Sequence, residues 1–305
     1  MMTAPGLEGI WPALLTPIDA NGAIDHAGFA AHARALLHAG CSGVTPFGTT
    51  GEGPSFSVAE RKAAVDAIVA GGVPAERVLV SVSCAALTDV IALTAHAQDV
   101  GAWGVLLMPP FFFPNVSGAG VIDAYARVIE ATRDRALRVV LYHIPQVSGV
   151  GLSHGVIGEL LRRHPERIVA IKDSAGDRAH ALGLAAAFMP PLGVHVGHEP
   201  DLPALARRGS RGAVSGLANF MPRLVARLVA EPDAPRTAED LARVERLLER
   251  LGGYALIPAL KGIMAAISGD RGWLRVRAPL LALDEERFHA LRAEIAPLGL
   301  DASVD

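Results

Sequence analysis

Val139-Val140-Leu141-Tyr142, then the stretch from Ser153 to Arg163, then Ile168-Val169-Ala170-Ile171-Lys172 follow one another along the chain. The two outer runs are short, apolar and rich in β-branched residues, and Pro, Gly or charged residues bound them, so they read as strands. Ser153 is a reasonable N-cap for a helix between them. Two strands joined by a helix lie parallel, because a parallel neighbour needs a crossover longer than a hairpin. Near-continuous apolar strands also imply a sheet buried on both faces.

The same unit recurs on either side. Strands are expected at Gly9–Thr16, Gly43–Phe47, Val78–Val82, Gly104–Met108, Val139–Tyr142, Ile168–Ile171, Gly193–Val196 and Gly212–Ser215. Helical patterns at Asp25–Ala39, Ser57–Gly71, Leu87–Val100, Gly118–Arg133, Ser153–Arg163 and Asp177–Phe188 separate them. Ser57 with Glu60 three residues on is a capping box, and Asp25 is another N-cap. Eight strands, each followed by a helix, predict an α/β fold that closes as a (β/α)8 TIM barrel, with an open doubly wound sheet as the alternative. After Ala230 the pattern changes. Glu231-Pro232-Asp233-Ala234-Pro235 reads as a linker, and Thr237–Leu251, Tyr254–Ser268 and Asp284–Ala296 read as helices without strands. The expected organisation is a catalytic barrel over residues 1–230 and a C-terminal helical domain over 231–305.

Composition narrows the function classes. The chain has 305 residues and a net charge of −3, so no global positive field favours nucleic acid. Mean hydropathy is +0.34, yet no apolar run approaches the ~18–20 residues that span a bilayer. Pro109 and Pro110 interrupt the longest candidate, Val105 to Pro114. Met1 to Gly9 has no basic segment leading into an apolar one, which argues against a signal peptide. Cys41 and Cys84 form no disulfide framework and have no metal-ligand spacing. A cytoplasmic protein is expected.

In such a barrel, function lies at the C-terminal ends of the strands. Only three of the 28 basic residues are lysines, Lys62, Lys172 and Lys261. Arginine stays protonated, so imine chemistry has three candidates. Lys172 leaves a wholly apolar strand; desolvation there lowers the pKa of an amine and frees it to attack a carbonyl. Lys62 sits in a polar helical stretch, and Lys261 in a C-terminal helix where a structural role is expected. Tyr142 ends the neighbouring strand, where a phenol can shuttle protons; a tyrosine simply packed in the core is the alternative. His143, one residue on, points the other way by strand alternation. Phe47-Gly48-Thr49-Thr50-Gly51-Glu52-Gly53 places two hydroxyls between glycines, a turn suited to a carboxylate. His195 and His198 straddle a strand end without a third ligand in sight, which argues against a metal. Phe111-Phe112-Phe113 forms an aromatic loop suited to a pocket wall or a subunit contact.

Gly48-Thr49-Thr50-Gly51-Glu52, Tyr142-His143-Ile144-Pro145 and Ile171-Lys172-Asp173-Ser174, in that order on eight βα units, resemble the dihydrodipicolinate synthase / N-acetylneuraminate lyase family of Schiff-base aldolases. The likeness extends to Ala213-Val214-Ser215-Gly216-Leu217-Ala218-Asn219 and to the helix from Pro258 to Lys261. It implies a barrel with a C-terminal helical domain, usually a homotetramer, working without metal or organic cofactor on pyruvate and an aldehyde. Lys172 matches the imine-forming lysine, Tyr142 the proton relay and Thr49 the hydroxyl beside it. Thr50 matches the residue holding the pyruvate carboxylate. Val214 matches a position whose backbone faces the keto acid, with Gly197 and Ser215 as further substrate-binding positions.

Two departures stand out. Dihydrodipicolinate synthases have an arginine five positions after the tyrosine; here it is Val147, and a bidentate grip on a second carboxylate is lost. They also lend a tyrosine from the loop that here offers only Phe111, Phe112 and Phe113. The implied activity is a lyase acting on 2-keto-3-deoxy sugar acids or 4-hydroxy-2-oxo acids. Dehydration or hydration through the same imine, dihydrodipicolinate synthesis and noncatalytic keto-acid binding are the alternatives. Specificity is expected from His143, Val147, His198, Glu199 and the phenylalanine loop.

Overall fold

The computed structural model describes residues 7–132 and 136–300. The N-terminal stretch through Gly6 and the helix end expected at Arg133 lie outside the described residues. Seven strands, β1 (Gly9–Pro12), β2 (Leu79–Ser81), β3 (Gly104–Leu107), β4 (Val139–His143), β5 (Ile168–Asp173), β6 (Gly193–Val196) and β7 (Gly212–Ser215), form one parallel sheet in the order β1-β7-β6-β5-β4-β3-β2. The expected strand at Gly43–Phe47 fills the remaining gap, but only as two parallel bridges, Ala13 to Thr45 and Val44 to Val78. Its backbone bonds both neighbours: Thr45 N–H donates to Pro12 O (2.8 Å) and Leu79 N–H to Val44 O (2.9 Å). Pro46 has no N–H to continue the ladder, and Phe47 turns to φ +62°, which ends the extended run. With this segment in place the sheet closes as a (β/α)8 barrel.

The helices are α1 (His26–His38), α2 (Val58–Ala70), α3 (Leu87–Asp99), α4 (Gly118–Ala131), α5 (Pro145–Ser148), α6 (His154–Arg163), α7 (Arg178–Phe188), α8 (Leu202–Ala206), α9 (Pro222–Ala230), α10 (Thr237–Leu251), α11 (Leu256–Ser268) and α12 (Glu285–Ile295). The expected caps are present. Asp25, Ser57 and Ser153 each accept a backbone N–H with the side chain, and Ser57 with Glu60 forms the full capping box. No single helix among the described residues is long and apolar enough to cross a membrane, and Cys41 and Cys84 are both free.

Strand alternation builds two nested cores. Trp11, Ala13, Leu79, Leu106, Val140, Tyr142, Ala170 and Val214 pack inside the barrel. Ile10, Val80, Val105, Leu141, Ile171 and Val194, from the other faces of the same strands, pack under the helices. This outer core runs on into Val244, Leu247, Leu260, Ile263 and Leu291 of α10, α11 and α12, so the C-terminal helices share it. Trp11 and Trp103, with ring centroids 5.5 Å apart, fill the interior toward the start of the strands. Tyr142 and Lys172 lie toward the other end of the same strands.

Candidate active site

The strand carrying Lys172 runs two residues further than expected, through Asp173, and this extension sets the site. Tyr142 on β4 pairs directly with Lys172 on β5, and His143 with Asp173. Alternation sends the first pair inward and the second outward. Tyr142 is 2% and Lys172 4% exposed, and the ammonium nitrogen lies 4.6 Å from the Tyr142 ring centroid. Lys172 Nζ has no ion-pair partner among the described residues, because Asp173, the nearest acid in sequence, points to the outside and bonds His180 Nδ1 at 2.8 Å.

The turn after Val44–Thr45 brings a third element. The Tyr142 hydroxyl and Thr49 Oγ1 are 3.2 Å apart. Bonds from Gly51 N–H and Gly53 N–H to Gly48 O, and from Thr16 Oγ1 to Gly51 O (2.7 Å), fold this turn tightly. A Cβ on Gly51 would lie 2.5 Å from Leu14 O, and one on Gly53 only 2.0 Å from Phe47 O, so only glycine fits at either position. Phe47 and Glu52, at φ +62° and +56°, hold left-handed conformations at either end. Strain of this kind persists where the surroundings over-determine it, and it collects at binding sites. The hydroxyls of Thr49 and Thr50 sit on the turn, half-buried.

Gly197, at the end of β6, faces the same space. A Cβ there would lie 2.7 Å from Lys172 Cε, 2.3 Å from Ser174 Oγ and 3.3 Å from Val214 O. Gly216, after β7, sits against Thr50, whose Oγ1 is 3.3 Å from the corresponding position. The structure thus brings together Lys172, Tyr142, Thr49, Thr50, Gly197 and the Val214 carbonyl. Ser215 does not join them. Its hydroxyl donates to Glu199 Oε1 (2.6 Å) and accepts from Ala218 N–H. Glu199, expected to contribute to specificity, is buried in that bond. Ser174, beside Lys172, and Gly216, behind Thr50, were given no role from sequence. Only the neighbouring strand ends reveal them.

Outside the barrel wall, His143, Asp173 and His180 offer ligand atoms within 4.8 Å of one another, a spacing a metal ion could use. The donor chemistry does not fit. Leu152 N–H donates to His143 Nδ1 (2.9 Å), so the ring carries its proton on Nε2 and has no free lone pair. The His143 and His180 rings stack at 4.5 Å. Burial pushes the His143 pKa down; Asp173 opposes this shift and His180 adds to it. His143 is thereby a neutral packing group. His195 lies inside the barrel opposite Lys172, with Nδ1 on Gly212 O (3.0 Å), whereas His198 pairs with Asp201 (2.9 Å).

Comparison with known proteins gives the chain a family. The dihydrodipicolinate synthetase family model matches residues 6–297. The chain belongs to this family. An uncharacterized DapA-like lyase of Chloroflexus aurantiacus is 36% identical over 289 residues, covering 94% of this chain and 95% of its own. The crystal structure of dihydrodipicolinate synthase from Agrobacterium tumefaciens matches with a TM-score of 0.90 and 33% identity, over 95% of this chain and 99% of that one. YagE, a prophage protein of the same family from Escherichia coli K12 solved in complex with pyruvate, matches with a TM-score of 0.88 and 25% identity, over 96% and 99% of the two chains. As a member of the dihydrodipicolinate synthetase family, the protein is a lyase of the class I aldolase type.

Proposed function

We propose that the protein makes or breaks a carbon–carbon bond between pyruvate and an aldehyde through an imine on Lys172. Its substrate would be a 2-keto-3-deoxy sugar acid or a 4-hydroxy-2-oxo acid. One observation carries the reading: a buried lysine with no carboxylate partner among the described residues lies against Tyr142, whose hydroxyl reaches Thr49. In cleavage, the free amine of Lys172 attacks the C2 ketone, and loss of water leaves an iminium. The C4 hydroxyl gives its proton to the Tyr142–Thr49 pair as the C3–C4 bond breaks. The bonding electrons pass to the iminium, the aldehyde leaves, and the enamine takes a proton at C3. Water then releases pyruvate and the lysine. Thr50 and the turn hold the carboxylate.

Val147 and the phenylalanine loop favour this reading over dihydrodipicolinate synthesis. Val147 is 56% exposed on α5, so this position offers an apolar side chain where a second carboxylate would need a cation. The rim also carries Phe112 and Phe113, both exposed, as apolar surface for the contacts of the homotetramer in which we expect the chain to work. Pyruvate and borohydride test the proposal: intact mass and peptide mapping should show one reduced adduct, on Lys172. An unmodified Lys172 would overturn it. A panel of aldehydes with pyruvate, read in the synthetic direction, then names the partner. Release of pyruvate from a 2-keto-3-deoxy acid separates the lyase from a dehydratase.

A further inference from the structure

Lys261 on α11 is fully buried, and its ammonium forms an ion pair with Glu52 in which neither side chain has any exposure. The second oxygen of Glu52 accepts Arg277 N–H at 2.9 Å, and Lys261 Nζ also donates to Arg275 O at 2.7 Å. Arg277 continues outward, donating to Ser55 O (3.1 Å) and Gly22 O (2.6 Å), with its guanidinium 4.4 Å from the Phe56 ring centroid. Residues 261–277 therefore grip the far side of the turn whose near side carries Thr49 and Thr50.

Two observations make this more than a core ion pair. Glu52 is itself one of the two left-handed residues that shape the turn, so its carboxylate anchors a strained backbone. Next to Lys261, Leu260 Cδ1 lies 4.0 Å from the point a Gly216 Cβ would occupy, a point only 3.3 Å from Thr50 Oγ1. Helix α11 thus supports the turn from below and Gly216 from the side. A paired charge without water holds its partner in place, since any displacement separates the charges where screening is weak.

We propose that Glu52 and Lys261 are positioning residues that lock the Thr49–Thr50 turn as a receptor for the carboxylate of a 2-oxo acid, so that the C-terminal helical region sets the affinity of the barrel site. This rests on the imine reading of the same site. The receptor is specific for the carboxylate; attack by Lys172 on the ketone does not depend on it.

The test uses the full-length protein and measures half-saturation of borohydride trapping with pyruvate and with methyl pyruvate, whose ester has no charge. In Lys261→Met, half-saturation by pyruvate should rise about tenfold while that by methyl pyruvate stays within about twofold. Lys261→Arg, which keeps a charge for Glu52, should recover part of the preference. Glu52→Gln, close in shape, should lower the pyruvate preference about threefold and decides the matter if circular dichroism shows Lys261→Met unfolded. An unchanged pyruvate-to-ester ratio in the folded variants overturns the positioning role alone. A wild-type protein that forms no adduct with either compound overturns the imine reading, and the positioning role with it.

Discussion

The protein buries two lysines in opposite ways. Lys261 lies under a turn with Glu52 and the Arg275 carbonyl as partners, whereas Lys172 lies at a strand end with an aromatic face and no acid partner among the described residues. Burial is nearly equal, so burial alone does not separate the two amines. Burial lowers the Lys261 pKa, and Glu52 opposes the shift and fixes the ammonium as a strut. At Lys172, strand alternation turns the nearest acid away to His180, and the amine stays available for chemistry. A partnered buried charge supports structure, and an unpartnered one is a candidate for reaction.

The contrast is open to direct attack, the largest effect first. Lys172→Ala should abolish the pyruvate adduct and lower kcat by roughly 10⁴-fold or more, read by mass and steady-state kinetics. If a comparable adduct persisted on Lys261, the contrast would be reversed. Removing the amino group from each site should move stability in different directions. Lys261→Met strands Glu52 and should cost about 3–5 kcal/mol in urea unfolding. Lys172→Met should be neutral or stabilising by up to about 1 kcal/mol, since it strands no partner charge. Tyr142→Phe should retain the adduct while kcat falls roughly 10²- to 10³-fold. Equal loss of both would make the tyrosine a packing residue only. Gly197→Ala pushes on Lys172 Cε from 2.7 Å and should lower kcat/KM by about 10²-fold, with little change in unfolding midpoint.

A third buried base gives the smallest effect. His32 donates from Nε2 to Asn219 Oδ1 (2.9 Å), and burial takes its pKa from 6.5 to about 4, with the bond to Asn219 opposing. Below pH 6.5 the unfolded chain binds a proton that the folded chain refuses. Its contribution is therefore complete above pH 6.5 and is lost as pH falls toward 4. At pH 5.5, one unit below the unfolded value, the loss should be about 1.4 kcal/mol. His32→Gln, which keeps a donor for Asn219, should flatten that slope in denaturant titrations between pH 7 and 5.5. An identical slope in the variant would show that other groups carry the acid dependence.

Much of this was legible in local signals. Apolar runs, caps and crossover lengths gave the barrel. A lysine directly after Ile168-Val169-Ala170-Ile171 and a tyrosine ending the preceding strand marked the two side chains that the sheet register pairs. The Gly43–Phe47 strand was legible as an apolar run, but Pro46 and the left-handed Phe47 cut its ladder short. The strand through Lys172 extends to Asp173, beyond its apolar run, because charged residues at a barrel rim look like a loop when their strand partners are unseen. The resemblance makes Ser215 a substrate-binding position; strand alternation turns its hydroxyl to Glu199. The scarcity of lysine did the most to single out candidates.

The sequence by itself determined which groups could react and which strand ends would carry them, because hydrophobic period and crossover length are local properties of the chain. Only the tertiary structure decided which buried lysine is paired. Glu52 and Lys261 are far apart in sequence, and Tyr142 meets Thr49 across the barrel mouth, so no local pattern encodes either contact. Closing the barrel brings those residues within bonding distance, and excluding water there gives each contact its strength.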